Sequence, residues 1–248
     1  MVLYKRRAAS TSIAATFIAL LKSCAKNKDL KKGILVHTEI EQMGLLGEKN
    51  PYLASSLINM YVKCGDLAKA HALHDELCYR NVVSWNVLIC GYAHHGLYSE
   101  ALSCFRKMRD IKGVYPNVVT FLCVLRACRS TQSLDVGDAI YDEARKKGLL
   151  RKELLLGTAL VNMYAGCGLL VKSREVFDEL SVHNVVSWNA LMSGYAQQGL
   201  YEEALNCFQQ MQREGMSPDP VTFVCILKAC GNINAADKGR EIHDEIVR

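Results

Sequence analysis

The chain repeats itself at long range, and this limits what it can fold into more than any other feature. Residues 81–109, NVVSWNVLICGYAHHGLYSEALSCFRKMR, agree with residues 184–212, NVVSWNALMSGYAQQGLYEEALNCFQQMQ, at 19 of 29 positions with an offset of 103. LINMYVKCG from Leu57 and LVNMYAGCG from Leu160 keep the same offset, and a TF-x-x-x-L-x-x-C segment occurs three times, from Thr16, Thr120 and Thr222. Self-similarity on this scale means stacked structural units, not one compact core.

Within each long period lie three shorter related units. The cuts fall at 14–50, 51–81, 82–117, 118–153, 154–184, 185–219 and 220–248, after a lead of residues 1–13. Each unit shows two segments of helical apolar period split by a small or polar turn. Leu191, Met192 and Tyr195 mark the first segment of the sixth unit, and Ala204, Leu205, Phe208 and Met211 the second. Gly65, Gly96, Gly168 and Gly199 stand where the chain must leave the first helix, a place that favours positive φ. Two short helices cannot bury both their faces alone, so neighbouring pairs must stack. The expectation is an all-α chain, an α-solenoid of helix-turn-helix units wound as a right-handed superhelix. Half the residues are apolar and 22% are charged, which excludes a disordered chain.

The residues that look like chemistry mostly recur with the architecture. Cys64 and Cys167, Cys104 and Cys207, Cys123 and Cys225, and Cys24, Cys128 and Cys230 are repeat positions, which reads them as small packing residues, unpaired and suited to a reducing compartment. His37-Thr38-Glu39 matches half of a zinc-deaminase signature, but the P-C-x-x-C half is missing, so His37 is an ordinary residue of a second helix. His94-His95 beside Gly96 is expected at the surface. No nucleophile–base pairing and no phosphate loop is found. The sequence thus supplies no catalytic residue, metal site or cofactor site. Lys5, Arg6 and Arg7 precede a short apolar run, too short to span a bilayer, and its later part, Thr16 to Cys24, is repeat helix, so no membrane partner is expected.

VVSWNALMSGYAQQGLYEEALNCFQQMQREGMSPD resembles the pentatricopeptide repeat, and the mixture of unit lengths resembles the plant PLS subclass of that family. Units 14–50, 118–153 and 220–248 are similar to its long type, the last one partial. Units 51–81 and 154–184 are similar to the short type, and 82–117 and 185–219 to the standard type. The resemblance implies single-stranded RNA bound along a groove, one base per unit. It implies base contact by a first-helix residue paired with the last residue of the unit: Ser55 with Asn81, Asn86 with Asn117, Thr158 with Asn184, and Asn189 with Asp219. The long units offer Ile18 with Asn50 and Leu122 with Glu153, apolar on one side and poor readers. Val83 and Val186 stand at the family's base-sandwiching places, with Tyr52 and Leu155 in the short units. Unit 82–117 carries one extra residue near Asp110-Ile111-Lys112.

By the family's code the four polar pairs favour 5′-A-C/U-n-A-U-3′, and Asn189→Thr is expected to turn its unit from uracil toward guanine. The resemblance also implies organelle RNA processing, in a chloroplast or mitochondrion, such as cytidine-to-uridine editing. Members of the subclass usually carry a C-terminal extension or deaminase domain. These 248 residues hold neither, so the expectation is a fragment of such a protein or one that relies on an editing factor or deaminase acting in trans. The alternative is a tetratricopeptide-like scaffold that holds peptides in its groove. It shares the spacing of Trp85, Tyr92, Ala101 and Phe105, but uncharged polar pairs suit bases better than carboxylate clamps.

Overall fold

The computed structural model describes the backbone of residues 2–46 and 50–247, with side chains from Ile13 onward except that of Glu245. The side chains of the basic stretch Lys5–Arg7 thus lie outside the described residues, as does Arg248. Fourteen helices and no strand are found among the described residues. They are α1 (Val2–Asn27), α2 (Leu30–Gln42), α3 (Pro51–Cys64), α4 (Leu67–Asp75), α5 (Val82–His94), α6 (Tyr98–Asp110), α7 (Val118–Thr131), α8 (Leu134–Lys146), α9 (Leu154–Gly166), α10 (Leu170–Asp178), α11 (Val185–Gln197), α12 (Tyr201–Arg213), α13 (Pro220–Asn232) and α14 (Ala236–Val247). Each unit contributes one pair. The lead does not stand apart in the backbone, since α1 begins at Val2 and runs into the first unit.

The chain divides into two compact bodies, Met1–Ala127 and Cys128–Arg248. In the first body α1 packs on α3 and α3 on α5, while α2 and α4 each touch their own first helix and the next one. In the second, α9 packs on α11 and α11 on α13, with α10 and α12 filling the corresponding second layer. Within each body the stacked first helices are therefore backed by the second helix of the unit before.

The first helices stop for one reason in all units. The turn residue after each enters the left-handed region, and the following N–H returns to a carbonyl five residues back, as from Leu97 to Tyr92 and from Leu200 to Tyr195, both 2.9 Å. Gly96 and Gly199 take that turn at φ 78° and 77°. In the long units the same turn is made by Lys28, Gln132 and Asn234, at φ 54°, 57° and 54°. Those side chains carry a steric cost that glycine avoids.

The two tryptophans close the joint between a short unit and the standard unit after it. Trp85 is buried edge-on against His74 of α4, ring centroids 4.3 Å apart. Trp188 meets Phe177 of α10 in the same way at 4.5 Å. Tyrosine hydroxyls tie first helices to the second helix of the unit before. The Tyr61 hydroxyl lies 2.9 Å from His37 Nδ1. The Tyr92 hydroxyl lies 2.7 Å from His71 Nδ1, and Tyr164 donates to Asp138 Oδ1 at 2.6 Å. His37 is thus a buried second-helix residue, and His94 and His95 are exposed.

Cysteine usage departs from expectation at one place. Cys24, Cys104, Cys128, Cys207 and Cys230 are buried and unoxidised, and burial pushes Cys104 and Cys207 up to about 11. Cys123, expected to be a packing thiol, is instead joined to Cys90 by a disulfide between α7 and α5, Cα atoms 5.2 Å apart. Cys90 does not recur in the second copy, where Ser193 takes its place and donates to Cys225 at 3.9 Å. Stacking neighbouring first helices brings together two positions that are 33 residues apart in the chain.

Candidate nucleic-acid interface

The four polar pairs occupy one structural position. Ser55, Asn86, Thr158 and Asn189 each lie one turn inside a first helix. Their partners stand immediately before the first helix of the next unit, where a small polar side chain can accept the helix's unpaired N–H groups. Asn81 Oδ1 accepts from Val83 and Ser84, both at 2.9 Å. Asn117 Oδ1 accepts from Thr120 N–H at 3.1 Å, Asn184 Oδ1 from Ser187 at 2.7 Å, and Asp219 Oδ1 from Thr222 at 2.8 Å.

Capping decides which atom each partner has left over. Only oxygen can accept, so Asn81, Asn117 and Asn184 turn Oδ1 to the helix and keep Nδ2, a donor, for the open side. Asp219 keeps a carboxylate oxygen, an acceptor. Burial works to raise that carboxyl, but hydrogen bonds from the Thr222 backbone, the Asn189 amide and the Thr222 hydroxyl outweigh it and hold it below its usual range.

The standard units join their pairs, and the short units do not. Asn86 Nδ2 donates to Asn117 Oδ1 at 3.0 Å, and Asn189 Nδ2 donates to Asp219 Oδ1 at 2.9 Å. A buried threonine of the next unit completes each cluster. The Thr120 hydroxyl lies 2.6 Å from Asn86 Oδ1, and the Thr222 hydroxyl 2.7 Å from Asn189 Oδ1. In the short units Ser55 Oγ instead donates to the Pro51 carbonyl of its own helix at 2.9 Å, and Thr158 Oγ1 is buried with no partner. A cavity of about 540 Å³ lies beside the first of these, with Ser55, Asn81 and Ser84 in its wall.

Val83 and Val186, at the first turns of α5 and α11, are 45% and 58% exposed. Tyr52 and Leu155 are more open still, at 74% and 67%. In the long units neither Asn50 nor Glu153 caps with its side chain. The extra residue of unit 82–117 falls in the loop between α6 and α7, and Asn117 reaches Asn86 as closely as Asp219 reaches Asn189. The part sequence reasoning missed is the pair Thr120 and Thr222. Both are visible as the threonine of the TF motif, a marker of period whose hydroxyl reaches back into the preceding unit.

Among the described residues no three His, Cys, Asp or Glu side chains converge as a metal site requires, and no helix is long and apolar enough to cross a membrane. The PPR repeat family model matches residues 80–130 and 183–232, and the PPR repeat model matches 15–45, 53–82 and 158–185. The chain belongs to the PPR repeat family. A chloroplastic pentatricopeptide repeat-containing protein of Arabidopsis thaliana is 36% identical over 230 residues, 92% of this chain and 30% of its own length. CRR2, another chloroplastic PPR protein of that plant, is 35% identical over 238 residues, 94% of this chain and 36% of its own length. The chain thus spans little more than a third of these relatives at most. PPR10 in complex with an 18-nucleotide psaJ RNA element superposes with a TM-score of 0.73 at 22% identity, over 94% of this chain and 34% of that one. Maize PPR10 gives a TM-score of 0.57 at 18% identity over 93% of this chain and 38% of that one. These likenesses make the fold an α-solenoid of PPR helix pairs.

Proposed function

We propose that the chain binds single-stranded RNA in a sequence-selective way, one base at each short and standard unit. The observation that carries this reading is the set of atoms the capped pairs leave open. At the third unit Asn86 and Asn117 both present N–H, which suits the adjacent O2 and N3 acceptors of cytosine. At the sixth, Asn189 presents N–H and Asp219 an acceptor, which suits a uracil oxygen beside N3–H and opposes the N3 lone pair of cytosine. At the second unit Ser55, its proton committed to Pro51, presents an acceptor, and Asn81 a donor, which suits N6–H and N1 of adenine. Serine is also shorter than asparagine, and the cavity beside it leaves room for a purine. In the fifth unit Thr158 and Asn184 supply the same pair of groups, a hydroxyl beside an amide donor, though the Thr158 proton is not committed to a carbonyl. The preferred register is 5′-A-C/U-n-A-U-3′, with Val83 and Val186 held between successive bases.

The PLS-type unit order supports membership of that subclass and a place in organelle RNA processing such as cytidine-to-uridine editing, with catalysis supplied in trans. Chloroplast names among the relatives support an organelle, chloroplast or mitochondrion. PPR10 in its RNA complex supports RNA as the ligand. The test is selection from a randomised single-stranded RNA pool followed by sequencing of the bound fraction. Enrichment of the A-Y-n-A-Y register is expected, with affinity falling as salt rises. A pool that emerges without it overturns the reading.

A further inference from the structure

We propose that Thr120 and Thr222 are positioning residues that set which face of Asn86 and Asn189 meets the base, and so set the choice between the two pyrimidines. The proposal rests on the reading of those asparagines as base-contacting residues. A side-chain amide can turn over about its last bond, exchanging a donor for an acceptor at little intrinsic cost, so an unpinned asparagine carries no fixed message. Here it is pinned from outside its own unit.

The chain of constraint starts at a helix cap. The Thr222 backbone N–H needs an acceptor, and Asp219 Oδ1 supplies it at 2.8 Å. That oxygen also takes the Asn189 Nδ2 proton at 2.9 Å. Amide nitrogen therefore faces Asp219 and amide oxygen faces the other way, where the Thr222 hydroxyl meets it at 2.7 Å. The hydroxyl has one hydrogen, and its contact with Asp219 Oδ1 is longer, 3.0 Å. Its lone pair is used as well, by the Asp219 N–H at 3.2 Å. With the oxygen held toward Thr222, the Asn189 N–H not given to Asp219 is the donor left for the base. Thr120 repeats the arrangement at 2.6 Å to Asn86 Oδ1, 3.1 Å to Asn117 Oδ1 and 3.0 Å from Asn117 N–H. Turning either amide over would set its nitrogen against the threonine hydroxyl and its oxygen against the capping oxygen, leaving two acceptors face to face.

The corresponding residues after the short units are serines, and they act differently. Ser84 Oγ donates to the Asn81 carbonyl at 3.0 Å and Ser187 Oγ to the Asn184 carbonyl at 2.8 Å, neither reaching across to Ser55 or Thr158. A hydroxyl such as Ser55 or Thr158 has no two-faced amide to orient. Threonine with asparagine, serine with a hydroxyl: the lock is present where the reading residue is ambiguous.

The test compares binding of the full chain to RNAs of the register A-C-N-A-U and A-C-N-A-C, which differ at the base read by the sixth unit. Thr222→Val removes the hydroxyl, and with it the acceptor for the Asp219 N–H, but keeps the backbone N–H that Asp219 Oδ1 caps. The uracil-over-cytosine preference is expected to fall about fivefold, with Thr222→Ser close to the unaltered protein. Equal weakening toward both RNAs, or an unchanged ratio, overturns the proposal and leaves the RNA reading standing. An unaltered protein that prefers neither base overturns the reading, and the proposal with it. Should Thr222→Val fail to fold by circular dichroism, Thr120→Val puts the same question to the third unit with cytosine against uracil. Side-chain amide exchange in the unaltered protein needs no variant at all. One slow and one fast Nδ2 proton at Asn86 and Asn189 are expected, and two equally fast protons overturn the proposal.

Discussion

The third and sixth units set the same geometry with different chemistry. Each buries a tryptophan against the preceding short unit, each holds an asparagine one turn into its first helix, and each has that asparagine fixed by a threonine of the next unit. Yet the tryptophan meets His74 in one copy and Phe177 in the other. The neighbouring first helices are joined by a disulfide in one and by a Ser193–Cys225 contact in the other. The capping partner is neutral Asn117 in one and ionised Asp219 in the other. Shape belongs to the repeat, while covalency, titration and charge are free to differ at fixed shape. The molecule thus contains its own control for each.

Exchanging one copy's residue for the other's breaks the comparison at a chosen point. The largest effect is expected from Cys90→Ser, which writes the second copy's chemistry into the first. By loop entropy, closing a loop of 33 residues contributes about 4 kcal/mol. Urea unfolding without reductant should show that loss, and reductant should bring the unaltered protein down to the variant. Equal stabilities in non-reducing buffer would remove covalency from the list of differences.

His74→Phe addresses titration. The ring is fully buried and neither nitrogen has a hydrogen-bond partner. Burial lowers its pKa to about 4, Arg80 adding to the effect and Asp75 opposing it. The folded chain therefore keeps His74 neutral while the unfolded chain takes up a proton below its ordinary 6.5. Stability is intact above that value and drains away as pH falls toward 4, by about 2 kcal/mol at pH 5. Phenylalanine, already used at this joint as Phe177, should abolish that part of the pH dependence in thermal melts at pH 7 and pH 5. An unchanged slope would place the acid sensitivity elsewhere.

Asn117→Asp gives the third unit the sixth unit's acceptor. Its preference should swing from cytosine toward uracil by about 1 kcal/mol, a factor of five, in paired binding titrations. No swing would mean that the cap's outward atom is not what the base meets. The smallest effect sharpens a point on which the copies agree. Gln132 and Asn234 both make the left-handed turn without glycine. Gln132→Gly should raise stability by about 1 kcal/mol, and Asn234→Gly by less, because asparagine tolerates that conformation better. A loss in either case would show that the side chain itself supports the turn.

The period and the helix pairs were legible because each is local or recurs. Gly96 and Gly199 marked real left-handed turns, and Asn81, Asn184 and Asp219 carried the usual signature of a cap before an apolar helix. The turns at Lys28 and Gln132 could not be read, since lysine and glutamine give no local sign of positive φ. The disulfide is not legible because Cys90 has no counterpart in the second copy, where Ser193 stands, and its partner lies 33 residues away. Thr120 and Thr222 are hidden for the opposite reason: a residue that recurs with the unit gives no sign of whether packing or a hydrogen bond to the unit before keeps it there. Their hydroxyls act on residues 34 and 33 positions earlier, a separation no window of local pattern covers.

The hydroxyl that reaches backward also bears on how such a chain can be cut and rejoined. On the proposed reading, a boundary drawn between Asp219 and Pro220, where one unit formally ends, severs Asn189 and Asp219 from the Thr222 hydroxyl that holds them. The seventh unit then serves the sixth through Thr222. Splice points for exchanging units therefore belong after the first turn of the following helix, beyond Thr120 or Thr222, so that each exchanged block carries a whole site in place of a whole repeat.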